Sequence, residues 1–259
     1  MITLTTDFGY ADAFAGQLRG VILTMAPEAR VVDITHGIRP HDVRAAALAI
    51  GTSYRYFPKG TIHLAVVDPG VGSSRAPIML EACGQCFVGP DNGIFTLIAR
   101  DCPEHRTWKI RAEGVELESP GNTFHGRDIF APVAARLELG EPPSSLGEPM
   151  KGMVTLPMPE PGRDGMTVHG EVIRLDVFGN AITNIRSADV EALRQEAGGA
   201  LVAEVNGHRC NLVRYYAEAV SGPHALVNSD GFLEIFLFEQ DAAGAMGLSE
   251  GSAVAIMPA

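Results

Sequence analysis

Three stretches of this chain combine residue types that can bind and polarise a small molecule. In Val66-Val67-Asp68-Pro69-Gly70-Val71-Gly72-Ser73-Ser74-Arg75, an apolar run from Ile62 to Val67 breaks at once into a proline and two glycines bracketed by an acid and an arginine. Such a run suits a central parallel strand, and open parallel sheets bind ligands at the carboxyl ends of their strands. The segment therefore reads as an active-site loop, although Asp-Pro-Gly is also ordinary turn chemistry. Asp7 ends the first strand-like run, and its two carboxylate oxygens could accept both hydroxyls of a ribose. Phe124-His125-Gly126-Arg127-Asp128 leads into a helical pattern, with a histidine at a loop-to-helix junction that suits a functional and a structural role equally. Asp12, just ahead of another helical pattern, fits a helix cap as well as a ligand contact.

The second half offers Asp176-Val177-Phe178-Gly179-Asn180 and Asn184 after a strand, and Asn228-Ser229-Asp230-Gly231 between strands. Both are compatible with plain β-turns. Together they also supply a carboxylate, amides and an aromatic face, which an ammonium, an adenine edge and a purine ring would require.

Several familiar chemistries are excluded by context. Asp7-Phe8-Gly9 spells a kinase tripeptide but lies on the first strand, with no Gly-rich loop or His-Arg-Asp before it. Gly70-Val71-Gly72 has Arg75 where a dinucleotide fingerprint needs its third glycine, which leaves a Rossmann oxidoreductase a weak rival. No Walker lysine and no Gly-x-Ser-x-Gly is present. His36 and His41 lie near the Pro40 turn and His63 in a strand, none with metal-ligand spacing to another. Cys83-Gly84-Gln85-Cys86 has half of a zinc or redox motif, and its place between β-like runs predicts two reduced thiols at a turn with Gly84-Gln85 at the tip.

The chain has 259 residues, 46% of them hydrophobic, enough for one large domain or two smaller ones. Its formal net charge is -11, and Lys and Arg form no run, which argues against a nucleic-acid partner and for a neutral or cationic ligand. The chain begins directly in a strand-like pattern, and no apolar stretch approaches membrane-spanning length, so a cytoplasmic location with no membrane partner is expected.

The elements that must hold these residues alternate in the first half. Ile2 to Thr6, Val31 to Ile34 and Ile62 to Val67 read as strands, separated by helical spacing at Phe14 to Met25 and Val43 to Tyr54. That order predicts an α/β N-terminal domain with a mainly parallel sheet. A short apolar helix is expected at Ile94 to Ala99 and a further amphipathic helix from about Asp128 to Leu139. After a Pro- and Gly-rich stretch the pattern turns β-rich, with strands at Glu171 to Leu175, Ala200 to Val205, Ala225 to Val227, Phe232 to Leu237 and Ala253 to Met257, and a hairpin signal at Asn206-Gly207. The expected division is an α/β domain over residues 1–155, a linker over 156–166 and a C-terminal antiparallel β-barrel over 167–259.

Taken in order, Thr6-Asp7-Phe8-Gly9, Val67-Asp68-Pro69-Gly70-Val71-Gly72, Gly89-Pro90-Asp91-Asn92-Gly93, Thr123 to Asp128, Asp176 to Asn180 and Asn228 to Gly231 resemble the S-adenosylmethionine (SAM) hydroxide adenosyltransferases. These adenosine-forming SAM hydrolases are related to the fluorinases and chlorinases. The resemblance covers nearly the whole chain. It implies a homotrimer, with sites between the N-domain of one subunit and the C-domain of its neighbour, and SAM as substrate with no metal and no cofactor. It places a water-activating trio on Asp68, Arg75 and His125, and ribose binding on Asp7. Methionine contacts fall on Asp12, Asp176 and Ser229, an adenine contact on Asn180, and ring contacts on Phe178 and Tyr216. In the halogenases a tyrosine stands in place of Asp68 and a serine in place of Gly126. Because the sulfonium makes methionine a neutral leaving group, attack at C5′ needs a positioned nucleophile and no general acid. Asp68 and His125 both qualify to take the proton. Two readings follow, a hydrolase releasing adenosine and methionine, or a non-catalytic SAM-binding module in which the trio only holds a water.

Overall fold

The computed structural model describes residues 1–114, 116–117 and 123–259. The chain divides into two units, Met1–Leu156 and Pro157–Ala259.

The first unit runs β1 (Ile2–Thr6), α1 (Phe14–Met25), β2 (Val31–Thr35), α2 (Val43–Ser53), β3 (Ile62–Val66), β4 (Pro77–Ala82), β5 (Gln85–Pro90), α3 (Thr96–Asp101), β6 (Arg106–Ile110), α4 (Ala131–Glu138), α5 (Pro143–Leu146) and β7 (Gly147–Met150). Its sheet has the order β2-β1-β3-β5-β4-β6-β7. The first four strands are mutually parallel, as the alternating pattern predicts, and β4, β6 and β7 extend the sheet antiparallel. Both faces of β3 are covered. Ile62, Leu64 and Val66 join the core formed with Leu18 and Ile22 of α1 and Val133 of α4, while Ala65 and Val67 pack with Ala46 and Ile50 of α2 and Ile98 of α3. A strand buried on both sides has no polar face, which is why its sequence reads as one apolar run.

Two local expectations need correction. The predicted helix from Asp128 opens earlier, as a π-helical turn over Gly126–Phe130 that continues into α4. The cysteines are not two reduced thiols. Cys83 forms a disulfide with Cys102, and their Cα atoms are 5.8 Å apart, while Cys86 and Cys210 are free. The β4–β5 register, Ala82 opposite Gln85, puts Cys83-Gly84 at the hairpin tip with both φ angles positive, at 52° and 75°. This turns the Cys83 side chain toward Cys102, which caps the C-terminal end of α3. Cys86 instead lies on β5, where burial and the Glu81 carboxylate push its thiol up to about 12. The pairing spans 19 residues, and closing a loop of that size restricts the unfolded chain by about 3 kcal/mol. Reduction with a dithiol is therefore expected to lower the thermal midpoint of the first unit by roughly 6–12 °C, measured by calorimetry with and without reductant. An unchanged midpoint with both thiols titratable would contradict that contribution.

The second unit contains β8 (Gly162–Asp164), β9 (Thr167–Leu175), β10 (Ala181–Arg186), α6 (Ser187–Ala197), β11 (Leu201–Val205), β12 (His208–Leu212), β13 (Pro223–Val227), β14 (Phe232–Leu237), α7 (Ala242–Met246) and β15 (Ala253–Pro258). The order β10-β14-β13-β12-β11-β15-β9-β8 closes through a β10–β9 pairing into a seven-stranded barrel, with β8 added at its edge. Every pairing is antiparallel except β12–β13. Asn206-Gly207 forms the expected hairpin turn between β11 and β12. The sequence pattern missed β10 because Thr183 and Asn184 interrupt its apolar alternation. Both are buried and satisfied by backbone: Thr183 Oγ1 donates to the Leu233 carbonyl at 2.8 Å, and Asn184 Oδ1 accepts the Glu171 N–H at 2.8 Å.

Among the described residues no helix is long and apolar enough to cross a membrane.

Candidate active site

The parallel pairing of β1 and β3 places Thr6 opposite Val66, so Asp7 and Asp68 emerge just beyond the carboxyl ends of neighbouring central strands. Asp7 is half-buried, and its Oδ2 accepts the His41 backbone N–H at 2.9 Å. Asp68 starts a tight loop in which Val71 N–H donates to the Asp68 carbonyl and Ser73 N–H to the Gly70 carbonyl. Asn92 reaches across from the end of β5 and donates through Nδ2 to the Val67 carbonyl at 2.8 Å, holding the strand end in place.

This loop folds Arg75 back onto Asp68. Arg75 Nε donates to Asp68 Oδ1 at 3.0 Å, and its Nη2 donates to Oδ2 in a bidentate pair. The same Nη2 lies 2.7 Å from Nδ1 of His125, which reaches the group from the start of the π-helical turn. Phe130, at the end of that turn, lies under the guanidinium with 5.3 Å from Cζ to the ring centroid. The side chains of Arg75 and Asp68 are only 9% and 6% exposed, so their charges act with little solvent screening. Arg75 Nη1 is buried and donates to no protein group among the described residues. A cavity of about 730 Å³ runs alongside Arg75 and His125, with Ser73, Glu116 and Asp128 in its wall.

Arginine has no acceptor atom, so His125 Nδ1 must receive the Arg75 hydrogen, and the neutral ring carries its own proton on Nε2. Burial pushes His125 below the ordinary histidine value and the Arg75 charge adds to this, while Asp68, Asp128 and Glu116 pull the other way. Protonated His125 could not accept from Arg75. Activity that needs the neutral ring is present above its depressed pKa and lost as pH falls through it. The acid limb of kcat/KM is accordingly expected below about 6.5, the unperturbed histidine value. A limb above that value in a pH–rate profile would contradict this assignment.

Asp12 is exposed and does not cap α1: Ala13 is the capping residue, and no side chain bonds there. Gly126 stands close beneath two rings, and a Cβ on it would come within 3.1 Å of Phe124 and 3.4 Å of Phe8.

In the second unit, Asp176 organises its own turn. Its Oδ1 accepts the N–H groups of Phe178 and Asn180, both at 2.9 Å, and its Oδ2 accepts Asn180 Nδ2 at 3.1 Å. Gly179 has φ +83°, and any Cβ there would collide with Asp241, the N-cap of α7. The turn thus fixes Phe178 outward, 75% exposed, while Asn180 is buried. Ser229 is exposed on the β13–β14 turn, where Asn228 Oδ1 accepts the N–H groups of Asp230 and Phe232.

The sequence reading missed Glu234. This buried carboxylate on β14 accepts the Tyr216 hydroxyl at 2.6 Å and Asn228 Nδ2 at 3.0 Å, so it joins Tyr216 to the turn carrying Ser229. Burial, then Glu234 and Asp176, push the Tyr216 phenol upward. The available signal was an acid inside the apolar run Phe232 to Leu237. Asp7, Asp68, Arg75 and His125 thus belong to the first unit, and Asp176, Phe178, Asn180, Tyr216 and Ser229 to the second.

Comparison with known proteins adds independent findings. The profile of the SAM hydroxide adenosyltransferase N-terminal domain matches residues 2–147, and that of the corresponding C-terminal domain matches residues 170–255. The chain is 38% identical to an (R)-S-adenosyl-L-methionine hydrolase of Thermus thermophilus over 97% of both proteins. It is 35% identical to an (R)-S-adenosyl-L-methionine hydrolase of Methanocaldococcus jannaschii, over 94% of this chain and 90% of that protein. A solved structure of an uncharacterized conserved protein from Thermotoga maritima superposes with a TM-score of 0.93 at 33% identity, covering 99% of this chain and 100% of the other. Fluorinases are more distant, at 24% to 26% identity.

Proposed function

This chain belongs to the SAM hydroxide adenosyltransferase family, and from that premise we propose that it hydrolyses SAM to adenosine and L-methionine. The observation that carries the reading is the buried Asp68–Arg75–His125 group at the end of β3. A water oxygen beside Arg75 attacks C5′ of SAM. As the C5′–O bond forms, the C5′–S bond breaks and its electron pair returns to sulfur, giving the neutral thioether of methionine. Arg75 stabilises the developing hydroxide-like oxygen. With His125 protonated on Nε2, that nitrogen is a donor, so the proton of water passes to Asp68 and then to solvent. The sulfonium already makes the leaving group neutral, so the reaction calls on no metal, cofactor or general acid.

Asp7 grips the ribose hydroxyls, and Asp12 contacts the methionine end. Asp176 and Ser229 do the same from the second unit, Asn180 meets the adenine edge, and Phe178 and Tyr216 lie against the rings. The assembly we propose is a homotrimer in the cytoplasm, with each site between the first unit of one subunit and the second unit of its neighbour. Support comes from the division of these residues between the two compact units and from the exposure of Phe178, a ring that gains from being covered.

Incubation with SAM in heavy-oxygen water tests the reaction: adenosine carrying one heavy oxygen atom is expected. Bound SAM with no adenosine would favour the sensing module, and unlabelled adenosine would exclude attack of water at C5′. Added fluoride or chloride is not expected to enter the nucleoside. Asp68 places a carboxylate where the halogenases have a tyrosine, and like charges repel. A serine side chain at Gly126 would press on Phe124. Halogenated 5′-deoxyadenosine would overturn this.

A further inference from the structure

The loop bearing Asp7 is clamped by a residue that the reaction itself does not use. His36 is almost completely buried just past the end of β2. Thr6 Oγ1 lies 2.6 Å from His36 Nδ1 and accepts the Phe8 N–H at 3.2 Å. Gly9 N–H donates to the His36 carbonyl at 2.8 Å. His36 therefore bonds on both sides of Asp7, to Thr6 before it and Gly9 after it. The Tyr10 ring stands edge-on to His36 with centroids 5.2 Å apart, and its hydroxyl donates to Asp33 Oδ2 at 3.1 Å. Asp33 Oδ1 lies 3.2 Å from His36 Nε2, and Arg19 of α1 pairs with Asp33 from the other side. The same connection then supplies the His41 N–H that touches the Asp7 carboxylate, at a left-handed backbone position with φ 70°.

The charges facing His36 are Asp33 and Arg19, and burial followed by the Arg19 charge holds its ring neutral. A neutral ring accepts the Thr6 hydroxyl hydrogen on Nδ1 and carries its own proton on Nε2, which lies near Asp33 Oδ1 without a hydrogen bond to it, so the direction of the contacts is consistent from Phe8 through Thr6 to His36.

We propose that His36, with Thr6, is a positioning residue for Asp7 and thereby sets how the enzyme discriminates a ribose diol. This inference rests on the assignment of Asp7 to the ribose. Carboxylate recognition of two adjacent hydroxyls depends on the orientation of both oxygens; the two bonds bracketing Asp7 hold its backbone, and the His41 N–H holds one of its oxygens, before substrate arrives. A network that served only to stabilise the fold would change the midpoint of unfolding without changing selectivity between ligands.

The test compares adenosine with 2′,3′-dideoxyadenosine by titration calorimetry, in wild type, Asp7→Asn, Thr6→Val and Thr6→Ser. Thr6→Val keeps the shape of the side chain and removes only the hydroxyl. Wild type is expected to prefer adenosine by roughly tenfold or more, as the loss of charge-assisted hydrogen bonds implies. The preference should fall toward unity in Asp7→Asn and Thr6→Val and return in Thr6→Ser. In turnover of SAM, Thr6→Val should raise KM and leave kcat within about twofold, the signature of lost binding shared by ground and transition states. A folded Thr6→Val protein with the wild-type preference would overturn the positioning role while leaving Asp7 on the ribose. Absence of any preference in wild type would overturn the ribose assignment of Asp7 and this inference with it. Failure to form adenosine from SAM would count against hydrolysis alone, since the calorimetric comparison does not depend on turnover.

Discussion

Replacing Arg75 with alanine is expected to lower kcat for SAM hydrolysis by about 100- to 1,000-fold, the loss typical of a preorganised donor aimed at developing negative charge. The size follows from where the guanidinium sits. It is 9% exposed, lies over the Phe130 ring, and uses two of its nitrogens on Asp68 and His125, leaving Nη1 without a partner among the described residues. Removing it deletes the donor and also leaves the Asp68 carboxylate buried without its counter-charge. Arg75→Lys should recover less than about tenfold of the loss, because an ammonium cannot reproduce the bidentate bond to Asp68 while also reaching His125. Steady-state kinetics at several pH values check this, with circular dichroism to confirm folding. Activity within about twofold of wild type in Arg75→Ala would remove the electrostatic role assigned here.

Mixing two inactive variants restores activity if each site draws on two subunits. Arg75→Ala disables the first unit, and Phe178→Ala weakens the second without touching a fold contact, since that ring is 75% exposed. Asp176 is a poorer choice because it holds its own turn through three hydrogen bonds. Loss of a stacking ring costs about 10- to 100-fold in affinity, so both parents are nearly silent at low SAM. After joint unfolding and reassembly at equal amounts, random mixing in a closed ring makes about a quarter of the interfaces intact in both halves. About a quarter of the wild-type activity is therefore expected in the mixed assembly, against about 10% or less in the parents at low SAM. Mixed oligomers that form and remain silent would assign each site to a single chain, and a fully active monomer by light scattering would exclude the arrangement altogether.

Much of this architecture is legible residue by residue. The apolar run from Ile62, the helical spacing between strands and the Asn206-Gly207 turn are local signals, each set by backbone torsions and by which faces must leave water. They locate Asp7 and Asp68 at strand ends, because an acid directly after a doubly buried strand has few other places to go. The motifs that resemble the family are also local, and they name the trio without its geometry. The sequence reading has less to say about residues whose role depends on distant partners. His36 shows no spacing with another ligand, yet it brackets Asp7 because β2 lies beside β1. Glu234 interrupts an apolar strand, and its meaning appears only when the barrel brings Tyr216 and Asn228 to it. The Cys83-Gly84-Gln85-Cys86 spacing predicts two reduced thiols at one turn, whereas Cys83 forms a disulfide with Cys102, 19 residues away.

Local torsions and hydrophobic burial, which act along the chain, determined from sequence alone the kinds of element, their order and the strand ends where the acids stand. Strand pairing and helix packing decided which of those residues meet. A hydrogen bond or a disulfide forms only when atoms far apart along the chain come within a few ångströms of each other. Arg75 thus closes on Asp68 and His125, 7 and 50 residues away, only after β3 and the π-helical turn have packed.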